Sequence, residues 1–264
     1  MLGNGYATTF FIAFVLTSLG LTALQVLMRE PEPPTVRART ALRDRIKDFP
    51  ALIHGDKGFM WFMIARTFAM GSRIGQPFFF LFAAHTLGVS ATTDPVEFGK
   101  LLAIFSFAFM AADTAANLVW GYLSDRGGFR STLVISMALY LASILALMLA
   151  TSLPLALIAF VGIGAAQSAY VMGSTNIVME YGHSHDVPMR MALSNTAEGF
   201  MGALAPMLGG VLTLIGGYNA AFVAALVSVS VALVLFVWKV DEPRSRKVHE
   251  AVRKETEANL DPEP

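Results

Sequence analysis

Seven apolar runs of 20 to 28 residues divide this chain, at 5–28, 59–84, 101–123, 131–151, 154–181, 188–215 and 218–238. A bilayer's hydrocarbon core needs about 20 apolar residues in helical form to cross it. Inside lipid the backbone has to bond to itself, so runs of this kind fold as helices. Apolar residues surround each run rather than forming a stripe, which excludes amphipathic surface helices. The expected fold is therefore all-α, a polytopic membrane bundle of seven transmembrane helices. The first run lacks a basic flank and is too long for a signal peptide, so it reads as a span. Only 14% of residues are charged, 55% are hydrophobic and cysteine is absent. These facts exclude disulfides, thiolate metal sites and cysteine nucleophiles. Formal net charge is zero, and nothing suggests nucleic acid as a partner.

Charge in the connections sets the orientation. Lys and Arg number seven in 29–58, two in 124–130, one at Arg190 and six after Trp238, against Lys100 alone on the other side. Sixteen against one, alternating from connection to connection, puts the basic set in the cytoplasm. The amino terminus is then outside and the carboxy terminus cytoplasmic, in an integral multi-pass protein of the plasma (inner) membrane. Residues 29–58 read as a Pro-rich cytoplasmic linker, and 239–264 as a cytoplasmic tail. Within the linker, Leu42, Ile46, Phe49 and Ile53 fall on one stripe over 40–53, as in an interfacial helix.

A charged group in hydrocarbon costs several kcal/mol, roughly, so each one there needs a reason. The run 59–84 carries Arg66 and Arg73, seven apart on one face, with Gln76 nearby. The run 101–123 carries Asp113 and Asn117, and 154–181 carries Gln167, Tyr170 and Ser174. Asn195 and Glu198 lie in 188–215. Two positive and two negative groups balance at mid-depth, which predicts that they face a common polar interior and pair there. Asp113 or Glu198 is then the candidate protonatable coupling group.

Between the third and fourth runs stands Gly121-Tyr122-Leu123-Ser124-Asp125-Arg126-Gly127-Gly128-Phe129-Arg130. It resembles the cytoplasmic loop signature of the major facilitator superfamily of secondary transporters, Gly-x-Leu-Ser-Asp-Arg-x-Gly-x-Arg. The family pattern usually has a basic residue where this chain has Phe129. Segments 59–238 are similar to one six-helix half of that fold, and 1–28 to the helix that precedes the central cytoplasmic loop. The resemblance implies a carboxy-terminal half whose amino-terminal partner half is missing from this sequence. It also implies that the first, second, fourth and fifth helices of the half line the cavity, and these are the four runs holding the polar residues.

The resemblance further implies a cytoplasmic latch. Gly121, Asp125, Arg126, Gly128 and Arg130 would supply it, with Asp125 against a helix start and Glu180 as the partner of Arg126 or Arg130. Asp186 and Pro188 are placed as the N-cap and first-turn proline of the sixth run. Ala205-Pro206-Met207-Leu208-Gly209-Gly210 reads as a kink with close helix packing. His183, His185 and Asp186 are too few for a metal site. No phosphate-binding glycine loop and no hydrolase motif appears, so neither an ATP-driven pump nor an enzyme is expected. The expected function is alternating-access transport of a small-molecule solute, proton-coupled and without a cofactor. A non-transporting scaffold or partner subunit that reuses the fold is the alternative.

Overall fold

The computed structural model describes residues 5–28, 49–181 and 186–244. These residues are helical apart from short connections, with no strand among them. The chain divides into two units, Met1–Arg45 and Ile46–Pro264. In the first, α1 (Gly5–Leu27) has 23 residues. At 1.5 Å per residue it is about 34 Å long, enough for a span. Thr22 stays compatible with lipid by donating its hydroxyl to the Ser18 carbonyl at 2.7 Å. Most of the stripe expected at 40–53 lies outside the described residues, as do His183 and His185.

The second unit runs α2 (Phe49–Gly55), α3 (Lys57–Ala69), two 3-10 turns (Met70–Ile74 and Gln76–Phe78), α4 (Phe79–Thr86), α5 (Pro95–Met148), α6 (Leu153–Glu180) and α7 (Val187–Trp238). Among the described residues four helices, α1, α5, α6 and α7, are long and apolar enough to cross a membrane. The run 59–84 was expected to be one continuous helix, and it is not. Pro77 has no N–H, and its ring crowds the carbonyl four residues back. Gly71 and Gly75 weaken the same stretch further. The chain tightens into 3-10 turns there and resumes as α4.

Helices α5 and α7 contain 54 and 52 residues, each about 80 Å if straight, far more than a bilayer holds. Neither is straight. In α5, Gly128 takes φ 78° and ψ 165°, a region open to glycine alone. Ser124 and Thr132, about 12 Å apart along a straight helix, instead hydrogen-bond at 2.8 Å. The Trp120 indole donates to the Ala165 carbonyl at 2.8 Å, and the Ser136 hydroxyl donates to the next carbonyl, Ala166, at 2.7 Å. The two arms of α5 therefore lie side by side against α6. The reversal takes one residue rather than the seven-residue loop expected at 124–130. In α7 the reversal comes at Gly216 and Gly217, the latter at φ 69°. Both arms of α7 then reach the same stretch of chain. Glu198 meets Arg66, and the Ser228 hydroxyl donates to the Phe68 carbonyl at 2.8 Å.

Lipid tails are as apolar as leucine, so these helices gain by close approach rather than by escaping water. Gly164 of α6 faces the Phe109 carbonyl, and Gly209 of α7 faces the Ile74 carbonyl, so closely that a Cβ at either would overlap the oxygen. The packing expected around Pro206 is thus present at Gly209. Pro206 itself stands inside the first arm of α7, ahead of the non-helical Gly216 and Gly217. Aromatic rings fill the core in two groups. Phe59, Phe62, Tyr181 and Phe236 cluster toward one end. Phe79, Phe82, Phe222 and Tyr218 cluster toward the other.

Candidate functional site

Asp56 begins the polar skeleton. Its Oδ1 caps α3, accepting from the N–H groups of Gly58 at 3.0 Å and Phe59 at 3.2 Å. Its Oδ2 accepts from Arg190 Nη1 at 3.1 Å. One carboxylate thus starts α3 and ties it to the first turn of α7. The Arg190 guanidinium is buried and lies 4.7 Å over the Phe59 ring.

Two turns further along α3, Arg66 is 3% exposed. Its Nη1 donates to the Ser174 carbonyl at 3.3 Å and to Ser194 Oγ, and its Nη2 pairs with Glu198 Oε2. Arg73 Nη2 reaches the other oxygen of the same carboxylate, Oε1, at 3.4 Å. Glu198 therefore bridges both arginines. Its side chain is 23% exposed and that of Arg73 32%. Tyr170 is buried beside Glu198 and Arg66, close enough to interact with the Arg66 side chain. Tyr140 donates its hydroxyl to Gln167 Oε1 and stands close to Arg73. A narrow cleft between α3 and α7, lined by Met63, Arg66, Thr67, Met70, Ala197 and Glu198, has no room for a water.

Arg66, Arg73 and Glu198 thus converge, and Gln167 and Tyr170 stand close by. Other expected members stand apart. Asp113 is partly exposed and forms no ion pair with any described residue, so the charge balance expected at mid-depth is not reached by direct pairing. Asn117 donates back to the Asp113 carbonyl at 2.7 Å, which satisfies its amide within its own helix. Gln76 is partly exposed and Asn195 exposed. Sequence reasoning missed Ser194 and Tyr140. Ser194 precedes Glu198 by four residues and shares its helix face, a spacing that could have exposed it. Tyr140 is the only tyrosine within 131–151.

A second polar cluster surrounds the reversal at Gly128. The Arg130 N–H donates to Glu242 Oε2 at 2.9 Å. The Arg130 side chain closes the end of α7, donating to the carbonyls of Phe236 at 3.0 Å and Val237 at 2.5 Å, where a cation is favoured. Gly128 lies so close to the Glu242 carboxylate that a Cβ would overlap it. Glu180 was expected to pair with Arg126 or Arg130. It pairs instead with Arg244 Nε, because Arg130 is occupied by α7 and Arg126 lies over the Tyr122 ring at 4.3 Å. Asp125 is exposed rather than seated on a helix start, and it bonds to no described residue. Asp186 occupies the N-cap position of α7 and Pro188 its first turn, without a side-chain cap bond. Gly121 has open space where a side chain would project.

Phe129, at the position where the signature usually has a basic residue, carries the Arg244 guanidinium 4.7 Å from its ring. Arg244 Nη1 also donates to the Ser124 carbonyl at 3.4 Å. Burial pushes the Glu242 carboxyl above its ordinary value, the neighbouring Glu180 adds to this, and the Arg130 N–H and Arg244 oppose it. Among the described residues no group of three or more His, Asp or Glu could hold a metal ion.

No curated protein matches the chain. Residues 62–262, which include Arg66, Arg73, Glu198 and the cluster around Gly128, match the family model of the Major Facilitator Superfamily. The chain therefore belongs to the Major Facilitator Superfamily, a family of integral, multi-pass membrane proteins that carry small solutes and are not enzymes.

Proposed function

We propose that residues 59–238 form a six-helix transporter half, preceded by a spanning helix at 1–28 and a cytoplasmic linker at 29–58, and followed by a cytoplasmic tail at 239–264. The reversals at Gly128 and at Gly216–Gly217 support this count, since each turns one over-long helix into two span-length arms. The amino terminus is outside and the carboxy terminus cytoplasmic, as the basic connections require. The half works against a second six-helix half, exposing a mid-membrane site alternately to each side.

The observation that carries this reading is the bridge from Glu198 to both Arg66 and Arg73. It links α3 and the 3-10 turns to α7 through one titratable carboxylate deep in apolar helices. A proton on Glu198 removes the charge that holds both guanidinium groups, so proton arrival and release alter the tie between moving elements. That supports proton-coupled secondary transport, with Asp113 as the second coupling candidate. Gln76, Asn117, Gln167, Tyr170 and Asn195 belong to the wider cavity. At the cytoplasmic face, Arg130 with Glu242 and Arg244 with Glu180 hold one conformation of the latch around Gly121, Asp125, Arg126 and Gly128.

The test is uptake into proteoliposomes holding the protein, with a solute panel and an imposed proton gradient. Glu198→Gln and Asp113→Asn are expected to abolish uphill accumulation while leaving downhill exchange measurable. Wild-type, gradient-dependent accumulation in both variants refutes the coupling role.

A further inference from the structure

At the mid-membrane site two guanidinium groups share the single carboxylate of Glu198, and Asp113 pairs with neither. Direct pairing thus leaves one guanidinium without a carboxylate of its own. The two arginines are not held equally. Arg66 is sealed in, with both terminal nitrogens bonded to Ser174, Ser194 and Glu198. Arg73 makes one hydrogen bond, the long one of 3.4 Å to Glu198. A guanidinium has five donors in a fixed fork, so most of the Arg73 capacity is unused among the described residues.

Arg73 is the more accessible of the two, its side chain 32% exposed against 4% for Arg66. Gly202 follows Glu198 by four residues on the same face of α7, and a Cβ there would stand 3.0 Å from Arg73 Nη1. With glycine at that position the guanidinium lies against the helix.

We infer that the transported solute is a small organic carboxylate, and that its acid group binds the partly exposed guanidinium of Arg73, taking the place of Glu198 Oε1. This deepens the transporter reading and rests on it. A planar carboxylate matches two parallel N–H groups of the fork, and such bidentate pairs are about twice as strong as neutral hydrogen bonds. The incoming anion restores neutrality among Arg66, Arg73 and Glu198. It also competes with Glu198, so neutralising Glu198 tightens its binding. The groups paired with Glu198 are Arg66 and Arg73, with Tyr170 near it; Tyr140 stands close to both Arg73 and Asp113.

The test uses the purified protein in lipid nanodiscs at fixed chloride and fixed pH. Benzoate and lactate are the carboxylate probes; inorganic phosphate, tetraethylammonium and glucose are the comparators. Thermal stabilisation reads binding, and uptake into proteoliposomes is measured with the same panel. The expected result is saturable stabilisation by a carboxylate alone, about tenfold weaker or absent in Arg73→Gln and several-fold tighter in Glu198→Gln. Stabilisation by a comparator but no carboxylate overturns the inference, and so does unchanged carboxylate affinity in Arg73→Gln. Absence of any carboxylate effect on the wild-type protein overturns it too, so a folding defect in one variant leaves the question decidable. Uptake of glucose or tetraethylammonium would keep the transporter and discard the carboxylate. A protein that binds a carboxylate but carries nothing would discard the transporter instead.

Discussion

Replacing Gly128 with alanine tests the reversal of α5 and the latch at once. Its backbone at φ 78° and ψ 165° is essentially glycine-only, and holding another residue there costs about 1–3 kcal/mol. The added Cβ also overlaps the Glu242 carboxylate. Glu242 has to swing away and give up the Arg130 N–H. A hydrogen bond to a charged group contributes about 1.5–3 kcal/mol, so the summed loss is roughly 3–6 kcal/mol. At about 2–4 °C per kcal/mol for a chain of this size, Tm should fall by on the order of 10 °C. The assay is thermal unfolding of the detergent-purified protein followed by tryptophan fluorescence. A double-mutant cycle with Glu242→Ala separates the two causes. If the overlap contributes, Gly128→Ala costs less once Glu242 is already alanine, and only the backbone part persists. A Tm change under about 2 °C for Gly128→Ala alone would show that the arms of α5 do not turn at this residue in this geometry.

Two further predictions follow from the same packing. Gly209→Ala drives a methyl into the Ile74 carbonyl, while Gly210→Ala meets open space. The first should lower Tm by roughly the 1–3 kcal/mol of an overpacked contact, the second should leave it unchanged, and unfolding curves of the pair decide it. Burial, with Glu180 alongside, holds the Glu242 carboxyl above 4.5, so the folded protein keeps a proton that the unfolded chain has lost. That contribution is full at acid pH and is lost as pH rises through the folded value, so Tm should decline from about pH 5 upward. Glu242→Gln should flatten that part of the slope, as a pH series of melts would show.

The long apolar helices were legible because lipid imposes one rule on every residue that crosses it: backbone groups bond internally and side chains are apolar. The charged exceptions were legible for the same reason, which is why Arg66, Arg73 and Glu198 could be named from cost alone. Cost does not specify partners. Asp113 met the same criterion and pairs with nothing described, since a partly exposed carboxylate needs no protein cation. Ser194 and the Ser174 carbonyl complete the Arg66 site at no such cost, so composition did not mark them. The break in 59–84 could have been read from Pro77 and its two glycines, but average hydropathy over the run conceals a local loss of one backbone donor.

The latch shows a different limit. The signature names residues on one strand of contact, whereas the partners Glu242 and Arg244 arrive from the chain beyond α7, over a hundred residues away. A cationic side chain at 129 would stand against Arg244; a phenyl ring receives that guanidinium on its face. With Arg244 held by Phe129 and the Ser124 carbonyl, its Nε is aimed at Glu180, and Arg130 is left to close the end of α7. The departure from the motif and the unexpected partner of Glu180 therefore meet in one contact, the Arg244 guanidinium on the Phe129 ring. The cation that serves Glu180 comes from the segment after the last helix rather than from the signature loop.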